Sequence, residues 1–211
     1  MPRVLGLVAL LLCAMPVVAP AQARRWEFGA SAGGGPSVVT ASWGGVADRE
    51  LLITTVYAAR PLILWKGFSV SWVGEVLPIV VATKVPKALG SWFFNSSHTD
   101  SIYSVGPYGD GPDFGVGATP VGLRLALRLT QNVAAFAEGN AGAVAFARAM
   151  PRIDDRSLNF LGSAGGGLRF GPPDRRVFIV GYRFTHISNA YTAQHNTGFN
   201  AHLLYVGLTL H

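Results

Sequence analysis

A histidine and a serine stand two residues apart in the run RFTHISNAYTAQHNTGFN, residues 183–200. In a strand, alternate side chains share a face, so His186 and Ser188 would be neighbours on one surface. A histidine beside a serine can take the hydroxyl proton and make the oxygen a nucleophile. The face that carries the pair is unusual. Residues 177–188 read VFIVGYRFTHIS. One side of that strand carries Phe178, Val180, Tyr182, Phe184, His186 and Ser188, while Arg183 points the other way. The reactive pair thus ends an oily row. The next segment carries Asn200 and His202 at the end of its own apolar row, close to the pair if the two segments form a hairpin.

The elements that must position these groups repeat along the chain. Eight alternating segments cover roughly 25–34, 49–59, 67–80, 113–128, 132–146, 157–170, 175–188 and 199–210. Each supplies at least the ~9–11 residues that a tilted barrel strand needs. Phe68, Val70, Trp72 and Val76 oppose Ser69, Ser71 and Glu75. Val121, Leu123, Leu125 and Leu127 oppose Arg124 and Arg128. A row of Ala and Val opposes Glu138 and Asn140. Leu158, Phe160, Ala164, Leu168 and Phe170 oppose Asn159, Ser163 and Arg169. One face is apolar; the other is small, polar and charged in both signs. Buried charges need partners, and an eight-stranded barrel has an interior that side chains can just fill. Glu75, Glu138, Arg124, Arg128, Arg169 and Arg183 are therefore expected to pair inside a narrow lumen. Links at 60–66, 129–131 and 171–174 are short, and those at 35–48, 81–112, 147–156 and 189–198 are long, as in outer-membrane barrels. A soluble β-sandwich with the apolar rows turned inward is the alternative fold.

Composition and address agree with the barrel. Arg3, the uncharged run Val4–Ala14 and the small-x-small pattern Ala21-Gln22-Ala23 read as a secretory leader over 1–23. That run is shorter than the ~20 apolar residues of a membrane-spanning helix. Removal of the leader takes away Cys13, the one cysteine, and with it thiol chemistry. Residues 24–211 remain as one domain. Gly occurs 26 times and charged residues make up 13% of the chain, against about 25% in soluble domains. The net charge of +6 comes from scattered residues on an exported chain, which excludes nucleic acid as a partner and suits anionic lipid head groups. Trp92, Phe93, Phe94 and Tyr103 in the 81–112 loop fit an interfacial belt or a cover over substrate.

Polar groups that face lipid are costly and point to function. For a Ser–His pair at the rim of the outer leaflet, the fitting substrate is an acyl ester held in that leaflet. The alternative is a histidine that only anchors the rim.

HISNA at 186–190 and NTG at 196–198, with FGVGATPVGLR at 114–124 and SAGGGLRF at 163–170, resemble the PagL family of outer-membrane lipid A 3-O-deacylases. The resemblance implies an eight-stranded antiparallel transmembrane barrel that removes the ester-linked acyl chain at the 3-position of lipid A. It implies no metal or other cofactor, and lipopolysaccharide in the outer leaflet as partner. It implies Ser188 as nucleophile, His186 as general base, Asn196 near the oxyanion and Asn189 supporting the loop. The family carries a glutamate four residues after the asparagine that corresponds to Asn196; here Asn200 stands there. A carboxylate would stabilise the imidazolium, whereas an amide only orients the ring. The rival expectation is therefore a weak or inactive barrel of the same fold with a structural or binding role. Asp154 and Asp155, in the neighbouring loop, read as solvated, and His195 reads as a surface histidine, with contact to a lipid A phosphate as the alternative.

Overall fold

The computed structural model describes residues 26–83, 91–94, 101–104, 111–153, 155–172, 175–193 and 196–210. The leader expected over 1–23 lies outside the described residues. The described chain forms strands β1 (Glu27–Val38), β2 (Glu50–Trp65), β3 (Phe68–Ala82), β4 (Ser91–Phe94), β5 (Ser101–Ser104), β6 (Asp113–Arg128), β7 (Val133–Phe146), β8 (Leu158–Phe170), β9 (Val177–Ser188) and β10 (Phe199–Leu210). Eight of them close into an antiparallel barrel in the order β1-β10-β9-β8-β7-β6-β3-β2. Closure is physically required of a sheet with an oily exterior. Hydrocarbon offers no hydrogen bonds, so no strand can be left with an open edge. The closing seam pairs Phe28 with Leu210, Ala30 with Leu208 and Val38 with Asn200.

Strand ends depart from the sequence expectation where proline and glycine intervene. β2 continues past Pro61 to Trp65 rather than ending at residue 59. Proline lacks a ladder N–H, but the register shift between Pro61 and Ile63 places it at a bulge, where that loss is tolerated. The turn shrinks to Lys66 and Gly67, both at positive φ (38° and 88°), the geometry that matches hairpin twist. In the long connection after β3, β4 and β5 pair as a separate two-stranded antiparallel sheet that strand patterning did not anticipate.

Large apolar side chains face outward, among them Phe28, Val56, Val76, Val121, Leu123, Phe160, Phe178 and Leu204. The lumen has two storeys. Toward the short turns, three carboxylates interleave with three guanidiniums. Arg124 bonds Glu27 (3.2 Å) and Glu138 (2.9 Å), Arg169 bonds Glu27 (2.6 Å), and Arg183 bonds Glu75 (2.8 Å) and Glu138 (2.6 Å). Hydroxyls of Tyr57, Thr119 and Tyr205 donate to Glu27, Glu75 and Glu138, and the Arg124 guanidinium lies over the rings of Tyr57 and Phe136. Arg128, expected in this network, is instead exposed at the short-turn end, where its N–H bonds Gly67.

Toward the long loops the lumen is mainly apolar, with a buried Arg49–Asp113 ion pair (2.6 Å) among the apolar side chains, a correction to the polar interior expected from alternation. Val46, Leu51, Leu77, Val80, Val144, Met150, Leu161, Ile187, Phe199 and Leu203 pack there. The physical reason lies partly in β3. Its inward residues are Val73, Glu75 and Leu77, then Val80 and Ala82. The register shift between Leu77 and Val80 changes the parity of the strand, as one extra residue in a bulge does. Simple alternation therefore misassigns its upper half.

Glu138→Ala removes the carboxylate that two buried guanidiniums share. It is expected to cost about 3–5 kcal/mol, as breaking a buried pair does. Urea unfolding of the barrel in micelles, followed by gel mobility, measures the loss.

Candidate active site

His186 and Asn200 are directly opposed across the β9–β10 ladder. The imidazole Nδ1 lies 2.6 Å from the Asn200 Oδ1. The Asn200 Nδ2 donates to the carbonyl of Gly44 at 2.8 Å. A carbonyl only accepts, so the amide group facing Gly44 is the NH2 and the one facing the ring is the oxygen. His186 therefore carries its proton on Nδ1. Its Nε2 keeps a lone pair that can accept a proton.

The segment between β1 and β2 builds this arrangement. The N–H of Gly45 bonds the carbonyl of Thr197. The Trp43 ring packs on His186 and Phe184, with centroids 5.2 and 5.7 Å apart. Gly45 has φ +127°, and a Cβ there would meet the carbonyl of Val38 at 2.5 Å and the Asn200 Nδ2 at 2.7 Å. Asn200 is fully buried and Ser188 is buried. Sequence alternation put His186 and Ser188 on an open lipid-facing surface. They do occupy the outer face, but this loop folds against that face. Trp43, Gly44 and Gly45 were missed in the sequence, where a glycine pair signals only a turn.

Ser188 ends β9 and shares the outer face with His186. No hydrogen bond joins the two side chains among the described residues. The chain then turns sharply. Thr192 N–H and Oγ1 both donate to the carbonyl of Asn189, at 3.0 and 2.7 Å. Ala190 and Tyr191, inside this turn, have φ of 50° and 61°. Each left-handed residue with a Cβ costs roughly 1–2 kcal/mol, so surrounding contacts must hold the turn. Asn189 is one holding point. Its N–H donates to the Asn196 Oδ1 at 3.1 Å, which leaves the Asn196 Nδ2 as the donor end of that amide.

Asp155 corrects the sequence reading. It is buried, not solvated. Its carboxylate accepts from the Asn189 Nδ2 at 3.4 Å and from the N–H of Arg152 at 3.2 Å. The reason is long-range: the β7–β8 loop folds over the turn that follows Ser188. Asp154 and His195 lie outside the described residues. His202 stands on the outer face one step below Asn200 and meets the hydroxyl of Tyr182 through Nδ1 at 2.6 Å, so the structure does not join it to the His186–Asn200 pair.

Beside His186 the outer surface is hollow. Gly162 pairs with His186, Ala164 with Phe184 and Gly166 with Tyr182. On the far side, Ala141, Gly139 and Ala137 of β7 pair with the same three residues of β8. A Cβ added at Gly162 would meet nothing within 4 Å. Val121, Leu123 and Leu125 of β6 form one bank; His186, Phe184 and Tyr182 form the other. The result is a shallow trough, two strands or roughly 10 Å wide, that runs from His186 down the oily surface.

The family model for lipid A 3-O-deacylase (PagL) matches residues 80–209. The crystal structure of the outer membrane enzyme PagL is similar at 15% identity and a TM-score of 0.51, covering 85% of this chain and 97% of that one. The crystal structure of Neisserial surface protein A (NspA) gives 7% identity and a TM-score of 0.46, over 88% of this chain and 96% of that one. At 15% identity the first of these likenesses speaks to fold alone. No curated protein sequence matches the chain.

Gly45→Ala is expected to push the β1–β2 loop off Asn200 and break the bond to Gly44, freeing the amide to flip. The imidazole Nδ1–H resonance of His186, sharp and downfield while hydrogen-bonded, would then broaden into exchange in the 1H–15N spectrum of the micelle-folded barrel.

Proposed function

Because this chain belongs to the lipid A 3-O-deacylase (PagL) family of outer-membrane barrels, we propose that it hydrolyses the ester-linked acyl chain at the 3-position of lipid A. The observation that carries this reading is the paired bond from Asn200 to His186 and to Gly44. It holds the neutral imidazole in the tautomer whose Nε2 can accept a proton, and in this proposal that proton is the one on Ser188.

In the proposed reaction the Ser188 Oγ attacks the ester carbonyl carbon while its proton passes to the His186 Nε2. The carbonyl oxygen becomes an oxyanion, and the Asn196 Nδ2, with backbone N–H groups nearby, donates to it. One such donor is worth roughly 3–4 kcal/mol in the transition state. Collapse breaks the bond to the sugar oxygen, which leaves with the proton from His186. Water, deprotonated by the same imidazole, then attacks the acyl-serine carbonyl; collapse breaks the bond to the Ser188 Oγ, which takes the proton back from His186, and the fatty acid is released. Asn189 supports the site by fixing Asn196. The trough of small residues beside His186 seats the departing chain within the outer leaflet, where a leucine-sized side chain would obstruct it.

Asn200 sets the pace. A carboxylate at ~4 Å from an imidazolium would stabilise it by about 4 kcal/mol at an effective dielectric near 20. An amide supplies only a partial charge, so the enzyme is expected to be slow. Glutamate, implied at this place by the family resemblance, adds a methylene to a site that is fully buried and closed by Gly44 and Gly45. The β1–β2 loop and Asn200 thus suit each other. The neutral amide also favours the second reading, a barrel that keeps the fold with little or no turnover.

Mass spectrometry of lipid A from a Gram-negative host expressing the chain separates the two. The expected outcome is loss of one ester-linked acyl mass with the parent and none with Ser188→Ala. An unchanged lipid A from a parent shown to be folded in the outer membrane would sink the deacylase. Asn200→Ala should cut turnover by roughly 10²-fold or more, the scale of a lost contribution to acid–base catalysis. Gly162→Leu should slow release of long chains more than short ones in the same assay.

A further inference from the structure

Arg156 is an exposed arginine with no part in the proposed chemistry. Its Nε and Nη2 both donate to one carbonyl, that of Thr192, at 3.1 and 2.9 Å. Thr192 closes the turn that begins one residue after Ser188, and this turn holds two consecutive left-handed residues that carry a Cβ, Ala190 and Tyr191. Strained backbone of this kind persists only where its surroundings over-determine it. Hairpin turns with two positive φ values normally draw on Asn and Gly, and this sequence has neither at those positions. Something outside the turn must hold it. The residue before Arg156 grips the other end: Asp155 accepts from Asn189. Two adjacent residues of the β7–β8 loop therefore clasp the first and last residues of the turn.

We propose that Arg156 is a positioning residue: its fork on the Thr192 carbonyl holds the strained 189–192 turn and, through it, the relation of Ser188 to Asn196. The path is short and continuous. Arg156 fixes Thr192, and Thr192 bonds the carbonyl of Asn189 twice. The Asn189 N–H fixes the Asn196 oxygen and so aims the amide that would meet the oxyanion. Lysine in place of Arg156 offers a point charge without the two-pronged geometry. It would hold the carbonyl incompletely. The inference rests on the deacylase reading for its catalytic consequence. The clasp itself does not.

The test uses the full barrel folded in micelles and lipid A as substrate. With Arg156→Ala, kcat should fall about tenfold to a hundredfold, the range for losing charge-assisted hydrogen bonds, while KM stays within about twofold, since no binding contact is lost. Arg156→Lys should fall in between. The decisive variant is the double change Arg156→Ala with Ala190→Gly. Glycine adopts positive φ without the Cβ penalty, so the turn should again form unaided and most of kcat should return. A rise in KM with kcat intact, and no rescue by glycine, would overturn the proposal and make Arg156 a contact for the anionic head of the substrate. Amide exchange at Thr192 gives a readout free of activity. It should quicken in Arg156→Ala and slow again in the double variant, and unchanged exchange overturns the clasp even where turnover falls. If the parent shows no ester turnover, the deacylase reading fails by itself and exchange still decides the clasp.

Discussion

The seam between β1 and β10 is the contact on which everything else depends. Until it forms, the sheet has two open edges, and hydrocarbon leaves no alternative partner for their N–H and C=O groups. Once Val38 pairs with Asn200, the outer end of β10 lies beside the chain leaving β1, and the β1–β2 segment folds over it. The Gly44 carbonyl then lies on the Asn200 amide, though 156 residues separate them in sequence. The same closure that makes the barrel stable in a membrane also completes the site. Structure and candidate chemistry cannot be separated at this end of the molecule.

Inside, closure creates a second constraint. Residues that alternate outward into lipid must alternate inward into a space too narrow for bulk water. Charges placed there survive only by pairing, and the three Glu and three Arg of the lower storey do so. The upper storey meets the same constraint mainly with hydrocarbon, together with the buried Arg49–Asp113 pair, and the register shift in β3 is part of the reason. A lumen filled by both means is a plug rather than a pore. That leaves the outer face as the surface on which a membrane substrate can be met.

The outer face near the long loops is unusual in two respects. It carries polar residues where a lipid-facing surface would be oily, and it carries Gly162 and a column of alanines where that surface would be bulky. Each feature alone has a plain structural explanation. Together they describe a place where a chain can lie beside an imidazole of defined tautomer. The neutral Asn200 means that this imidazole is oriented more firmly than it is activated. The strained turn after Ser188 shows that the loops above it invest stability in holding one backbone shape.

Much of this was legible in the residues themselves. Period-two alternation, scarcity of charge and an abundance of glycine set the eight strands and the sense in which they face, because a side chain on a strand can point only in or out. The spacing of His186 and Ser188 put them on one face for the same reason, and the nearness of Asn200 and His202 to that pair followed once a hairpin was assumed. What sequence could not disclose is where loops land. Trp43 over His186, Gly44 on Asn200, Asp155 under Asn189 and Arg156 on Thr192 are contacts between segments far apart in the chain, and no local period encodes them. Nor could it place the bulge in β3, which turns on a single unpaired residue. Local stereochemistry decided the strands; only the closed barrel, by bringing the β1–β2, β7–β8 and β9–β10 segments to one rim, decided which atoms surround the serine.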